Sequence, residues 1–228
     1  MGTLQLDGVR LAYWEEGSGQ PVVFIHGVGT SGELWARDLA PFAEHCRLIV
    51  YDRRGYGASS ESPRDWRGHR DDAIALIDAL RASPAVVVGY SGGSIIASDL
   101  TLERPDMVTS LVLLDPAFNL RRCLNKAPAE RRERLLQNSA AIFDDFASGG
   151  GEHVDESRLA GIDVPVTIIE AGLSPAFLRR SCERLKGLMP QARTVTLPNS
   201  GHHVGFDAAD ELITILREAK TTTTAGPE

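Results

Sequence analysis

Short runs of β-branched and apolar residues alternate with longer amphipathic stretches, and this alternation limits the possible folds more than any other feature. The runs are bounded by Gly, Pro or Asp and cover residues 22–25, 48–51, 85–88, 111–114, 166–169 and 194–197. Since most are apolar at both odd and even positions, they predict strands that are buried on both faces. Helices are predicted in the stretches between them, at residues 33–44, 65–82, 94–103, 176–189 and 206–220. We therefore predict an α/β fold with a parallel sheet covered by helices on both faces.

The two ends of the chain differ from this alternation. Near the N-terminus, residues 4–6 and 9–14 flank Asp7-Gly8, a dipeptide that suits a tight hairpin turn. The sheet is therefore expected to begin with an antiparallel pair. At the other end, the Thr-rich residues 221–228 have little to bury and are expected to form a flexible tail.

One internal stretch, residues 119–162, is too long for an ordinary connection between strands. It contains a charged helical segment at residues 129–147 and three consecutive glycines at 149–151. A connection of this length in a compact domain usually has a function. We predict that it forms a short helical lid over a pocket, inserted into a core made of residues 1–118 and 163–220; packing on the sheet edge is the alternative.

Composition excludes several partners. Lys and Arg number 24 and Asp and Glu 31, which gives a formal net charge of −7, so we expect no binding to nucleic acid or to an anionic membrane surface. No apolar run approaches the roughly 20 residues that a membrane-spanning helix needs.

The widely spaced Cys46, Cys123 and Cys182 form no zinc motif. Because the N-terminal residues also lack a signal-peptide pattern, a cytoplasmic protein with reduced thiols and no metal is expected.

The strongest chemical signal is Gly89-Tyr90-Ser91-Gly92-Gly93, a GxSxG sequence directly between a strand candidate and a helix candidate. A serine at a sharp strand-to-helix turn projects its hydroxyl out of the sheet, and the crowded backbone there needs small neighbours such as Gly89 and Gly93. An ordinary glycine-rich turn is the alternative, but the strand before and the helix after favour a nucleophile. We predict that Ser91 is that nucleophile.

A serine nucleophile needs a base, and the chain contains six histidines. His202 follows the last strand candidate, so its loop can present the ring at the sheet edge where Ser91 emerges. His203 is the alternative, although adjacent side chains point in different directions. The histidines in polar surroundings are expected at the surface: His45, His69 and His153.

Two backbone N–H groups are predicted to stabilise negative charge near Ser91. The early strand ends in Phe24-Ile25-His26-Gly27-Val28-Gly29, a loop that can offer the N–H of Val28. Together with the N–H of Gly92, this donor would form an oxyanion hole for a tetrahedral intermediate. The alternative is a glycine-rich strand exit that binds nothing.

Taken in order, these motifs resemble those of the α/β-hydrolase superfamily over nearly the whole chain. They are Phe24-Ile25-His26-Gly27-Val28-Gly29, Tyr51-Asp52-Arg53-Arg54-Gly55-Tyr56-Gly57-Ala58-Ser59, Gly89-Tyr90-Ser91-Gly92-Gly93 and Gly201-His202. The resemblance implies a three-layer α/β/α sandwich around a mostly parallel eight-stranded sheet. It also implies a nucleophile after strand five, a histidine after strand eight, and a structural role for Asp52 in bracing a loop.

The acid that orients the histidine departs from the usual family pattern. In most relatives it follows strand seven, but residues 171–175 of this chain contain no carboxylate. Some members carry it at the end of strand six, where this chain has Asp115. We prefer Asp115 to Glu170, a strand residue whose side chain can point away from the site. An ordinary Asp-Pro turn is the alternative interpretation of Asp115.

These residues predict a carboxylesterase-like serine hydrolase. Ser91 would attack a small carboxylic ester or lactone and form an acyl-enzyme, with His202 as base and no cofactor. One alternative is a lyase or cyclase of secondary metabolism that uses the same pocket without hydrolysis. Another is a ligand receptor in which the same residues no longer turn over a substrate.

Overall fold

A single sheet with helices on both faces makes up the described part of the chain, which in this computed structural model comprises residues 1–6, 8–60, 66–118 and 156–221. The strands are β1 (Gly2–Leu6), β2 (Val9–Gly17), β3 (Pro21–Ile25), β4 (Arg47–Tyr51), β5 (Ala85–Tyr90), β6 (Val108–Leu114), β7 (Val166–Ala171) and β8 (Arg193–Leu197). The α-helices in these ranges are α1 (Gly32–Asp38), α2 (Trp66–Ala79), α3 (Gly93–Glu103), α4 (Ala176–Leu188), α5 (Val204–Asp207) and α6 (Ala209–Thr221). Short 3-10 helices span Ala40–Glu44, Pro105–Met107 and Glu156–Gly161.

The eight strands lie in the order β1-β2-β4-β3-β5-β6-β7-β8. β2 pairs antiparallel with β1 and with β4, and the other pairs are parallel. The turn between β1 and β2 places Gly8 at a φ of +74°, which suits the expected hairpin. The prediction of a mostly parallel, eight-stranded sheet is therefore confirmed.

Alternate residues of the central strands pack into two separate hydrophobic cores. In β3, Val23 and Ile25 pack with residues of α2, α3 and α4, whereas Val22 and Phe24 pack with residues of α1, α5 and α6. All six residues of β5 are buried, because helices cover both faces of the sheet. The sheet is thus the middle layer of an α/β/α sandwich, and the carboxyl ends of β5 to β8 lie along one edge.

Two predicted helices were wrong in extent. The helix predicted at 33–44 is divided, because α1 ends before Pro41 and a 3-10 helix follows; proline has no N–H to donate and disfavours helical conformation in the residue before it. The helix predicted at 206–220 is instead α5 and α6. They are separated at Ala208, whose φ of −148° and ψ of 47° are not helical.

The surface position predicted for His69 was also wrong, since this residue is only 1% exposed. It belongs to the stripe of α2 that faces the sheet, with the three- and four-residue spacing of a buried helical face. The buried members of that stripe are His69, Asp72, Ala73, Leu76 and Ile77. His45 is exposed as predicted, and His153 lies outside the described residues.

Most of the predicted lid, residues 119–155, and residues 222–228 of the predicted tail also lie outside the described residues. The end of the predicted lid range is described and packs against the sheet layer. There, Leu159 and Ile162 are buried in the same core as α3 and α4. The division into core, lid and tail stays a prediction.

Candidate active site

Ser91 occupies a sharp bend between β5 and α3. Its φ of +52° lies in the left-handed region, which residues other than glycine rarely adopt. The bend is crowded, because a Cβ atom added to Gly89 would lie 2.6 Å from the carbonyl oxygen of Gly93. The Ser91 N–H donates to the Leu114 carbonyl at 2.9 Å, and the Ser91 carbonyl accepts from the Ala117 N–H at 3.1 Å. The strained bend is therefore anchored to the end of β6.

The His202 side chain lies beside Ser91, with Nε2 at 3.1 Å from Oγ. Tyr90 holds this loop, since its hydroxyl donates to the His202 carbonyl at 2.9 Å and its ring centroid lies 4.9 Å from that of the imidazole. Burial raises the pKa of the Tyr90 phenol well above its ordinary value, so its hydroxyl remains a donor at neutral pH. The alternative base, His203, is exposed and its ring centroid lies 6.2 Å from that of His202. The structure thus brings His202 to Ser91.

Asp115 directly follows β6, and its fully buried carboxylate lies next to His202. Nδ1 of His202 donates to Oδ2 of Asp115 at 2.6 Å, which leaves Nε2 free to accept the Ser91 proton. The Ser174 hydroxyl donates to the same Oδ2 at 2.5 Å, and the Ala171 N–H donates to Oδ1 at 3.3 Å. Both oxygens of this buried carboxylate therefore have hydrogen-bond donors, as buried polar groups require.

Glu170, the alternative acid, is directed elsewhere. Its Oε2 accepts a hydrogen bond from Nζ of Lys186 on α4 at 2.6 Å. Lys186 also forms an ion pair with Glu183, so these three side chains form an ion-pair group beside β7. Asp115 therefore lies against His202, while Glu170 serves contacts between β7 and α4.

The two predicted oxyanion donors flank Ser91. Gly92 is the N-cap of α3, where the helix dipole favours negative charge. The loop containing Val28 packs directly on Ser91, because a Cβ atom added to Gly27 would lie 2.8 Å from the Ser91 Cβ. Within the described residues, neither the Val28 N–H nor the Gly92 N–H donates to a backbone carbonyl in a turn, a loop or a helix cap.

Two buried side chains fix the orientation of this loop. The Gly27 carbonyl accepts from Nδ1–H of His26 at 2.8 Å and from the Arg53 guanidinium at 3.3 Å. Nε2 of His26 accepts from the Arg53 N–H at 3.0 Å, so the hydrogen-bond pattern assigns the ring proton to Nδ1. The Arg53 guanidinium also lies 4.4 Å from the Tyr56 ring centroid. In a planar trans peptide group the C=O and N–H bonds point in opposite directions. Fixing the Gly27 carbonyl towards His26 and Arg53 therefore directs the Val28 N–H away from these two side chains.

Asp52 braces the loops around the site. Its Oδ1 accepts from the Gly32 N–H at 2.7 Å and its Oδ2 from the Ala58 N–H at 2.8 Å. Burial raises the pKa of this carboxyl group, and the two backbone donors oppose that effect. These contacts agree with the structural role that the resemblance implied.

Sequence reasoning assigned no role to Ser174, Tyr90 or Arg53. The available signal was position: Tyr90 and Arg53 lie within the recognised motifs, and Ser174 lies in the loop where an acid was expected. Across residues 1–6, 8–60, 66–118 and 156–221, no group of three or more His, Cys, Asp or Glu side chains is placed to bind a metal ion. Over the same ranges, no helix is both long and apolar enough to cross a membrane.

Comparisons with known proteins agree with one another. The sequence model of the "Alpha/beta hydrolase family" matches residues 22–215. The putative non-heme bromoperoxidase BpoC of Mycobacterium tuberculosis is 36% identical over an alignment that covers 90% of this chain and 95% of that protein. The crystal structure of BpoC superposes with a TM-score of 0.77 and 25% identity, over 94% of this chain and 97% of that one.

A second relative is matched over about half of its length. The (E)-2-((N-methylformamido)methylene)succinate hydrolase of Acinetobacter baylyi is 35% identical over 143 residues, which cover 61% of this chain and 54% of that protein.

Proposed function

The chain belongs to the alpha/beta hydrolase family, and on that premise we propose that it cleaves a small carboxylic ester or lactone through an acyl-enzyme on Ser91. The observation that carries the proposal is the contact of Ser91 Oγ with His202 Nε2 at 3.1 Å, together with the contact of His202 Nδ1 with Asp115 Oδ2 at 2.6 Å. A serine hydroxyl becomes an effective nucleophile when a neighbouring base takes its proton. We assign these three side chains the roles of nucleophile, base and orienting acid.

In the proposed reaction, Ser91 Oγ bonds to the substrate carbonyl carbon while its proton passes to His202 Nε2. The carbonyl electron pair moves to oxygen, where the N–H groups of Val28 and Gly92 stabilise the charge. When the intermediate collapses, the bond to the leaving alkoxide breaks and His202 returns the proton to it. Water then attacks the acyl-enzyme with His202 as base, which releases the carboxylic acid and restores Ser91. No cofactor takes part in these steps.

The relatives support this reaction class. The Acinetobacter protein is named as a hydrolase. BpoC is named as a putative non-heme bromoperoxidase, and this name favours peroxyacid formation as a second candidate activity. Hydrogen peroxide would replace water, attack the acyl carbon and release a peroxyacid, with Ser91 and His202 in unchanged roles.

Two assays test the main proposal. A fluorophosphonate probe should label Ser91, and p-nitrophenyl acetate should give a burst of p-nitrophenolate followed by steady turnover. Ser91→Ala should abolish both signals. Ser98→Ala is the matched control. Ser98 is a fully buried serine of α3, and its hydroxyl has no hydrogen-bond partner within the described residues. It should leave both signals unchanged.

The outcomes separate the candidate functions. Labelling of Ser91 without turnover of any ester or lactone would contradict hydrolysis and favour a lyase, a cyclase or a ligand receptor. Hydrogen peroxide added during turnover would divert product from carboxylic acid to peroxyacid if the second candidate is correct.

A further inference from the structure

We propose that Ser174 is a positioning residue that holds the Asp115 carboxylate in the orientation that His202 requires; this inference rests on the proposed function. Its hydroxyl donates to Oδ2 of Asp115 at 2.5 Å, and this is the oxygen that accepts from Nδ1 of His202 at 2.6 Å. Ser174 is only 3% exposed, so water does not compete strongly for that bond. One carboxylate oxygen thus joins Ser174 to the imidazole.

The backbone around Ser174 is fixed to the strand ends that carry the site. The Ser174 N–H donates to the Ala171 carbonyl at 3.1 Å, which closes a tight turn after β7. The preceding N–H, of Leu173, donates to the Ser200 carbonyl at 2.9 Å, two residues before His202. The loop that presents the Ser174 hydroxyl is therefore attached to the loop that presents the imidazole.

An orienting acid must carry a negative charge and be held in a fixed orientation, and here two residues meet these two requirements. Asp115 supplies the negative charge that stabilises the imidazolium, and an alcohol has no such charge at neutral pH. A carboxylate held only by His202 would still rotate about its Cβ–Cγ bond. Ser174 on Oδ2 and the Ala171 N–H on Oδ1 remove that freedom, since the two oxygens then have different fixed partners.

Removal of the hydroxyl tests this role. Ser174→Ala should lower kcat for p-nitrophenyl acetate by about 10- to 100-fold, the range expected for one lost hydrogen bond to a charged group, with KM changed by less than about threefold. Ser174→Thr keeps a hydroxyl and should restore most of the rate. Ser98→Ala, which removes a buried hydroxyl elsewhere, should have no effect.

A spectroscopic measurement is independent of turnover. The downfield proton resonance of Nδ1–H in His202 should move in Ser174→Ala and remain near its wild-type position in Ser174→Thr. A kcat for Ser174→Ala within threefold of wild type, or an unmoved resonance, would overturn the proposal. Thermal melting of each variant separates these results from loss of folding. If wild-type protein shows no fluorophosphonate labelling, the proposed function fails, and the resonance still reports on Ser174.

Discussion

Replacement of Asp115 by Asn is the sharpest test of the proposed site, because the substitution keeps the shape of the side chain and removes its charge. In the native protein, Oδ2 accepts from His202 at 2.6 Å and from Ser174 at 2.5 Å, while Oδ1 accepts from Ala171 at 3.3 Å. An amide has only one oxygen. Either its NH₂ group faces the Ala171 N–H, or it faces His202 and forces the imidazole into the wrong tautomer.

The loss of charge alone gives the order of magnitude of the effect. Two unit charges about 4 Å apart interact by about 4 kcal/mol at an effective dielectric constant of about 20, which corresponds to about 10³ in rate. The wrong tautomer adds to this loss, and the corresponding change in a well-studied serine protease costs about 10⁴. We therefore expect Asp115→Asn to lower the rate constant of the p-nitrophenolate burst, which reports acylation, by about 10³ to 10⁴.

The assay is the rate of the p-nitrophenolate burst with wild-type and variant protein, after thermal melting shows that both are folded. Glu170→Gln is the matched control, because the Glu170 carboxylate contacts Lys186. It should keep the rate within about threefold of wild type, since the substitution weakens only the partly buried ion pair with Lys186. A burst rate for Asp115→Asn within tenfold of wild type would refute the assignment, and a larger loss in Glu170→Gln would move the acid role to that residue.

Further predictions concern the groups around Ser91. Tyr90→Phe removes the 2.9 Å bond to the His202 carbonyl, so it should lower the free energy of unfolding in urea by about 1 kcal/mol and reduce kcat several-fold; unchanged values would contradict the bracing role. Gly27→Ala places a Cβ atom 2.8 Å from the Ser91 Cβ, so acylation should slow by about 100-fold or more in a protein that still melts cooperatively. Burial raises the pKa of Cys182 to about 12, so iodoacetamide at pH 8 should modify this thiol only after unfolding in urea, as peptide mass spectrometry would show.

The sequence was informative where the signal is local. Six of the strands were predicted from short β-branched runs, most of them apolar at odd and even positions alike, and such runs suit a sheet covered on both faces. Ser91 was predicted as the nucleophile because a nucleophile bend requires small residues beside it and a strand and a helix on either side, all within a few positions. Local patterns were weaker at element ends, since Pro41 divides one predicted helix and Ala208 another.

Tertiary structure decided the contacts between distant segments. Asp115 and His202 are 87 positions apart, and the sequence left Asp115 and Glu170 as rival acids. The order β6-β7-β8 brings the ends of these strands together, while the alternating directions of strand side chains send Glu170 to Lys186. Ser174 acquires a role only because the turn after β7 lies beside the end of β6. The sequence shows which side chains are available. The distances of 2.5 to 3.1 Å between them depend instead on how strands from different parts of the chain align at one edge of the sheet.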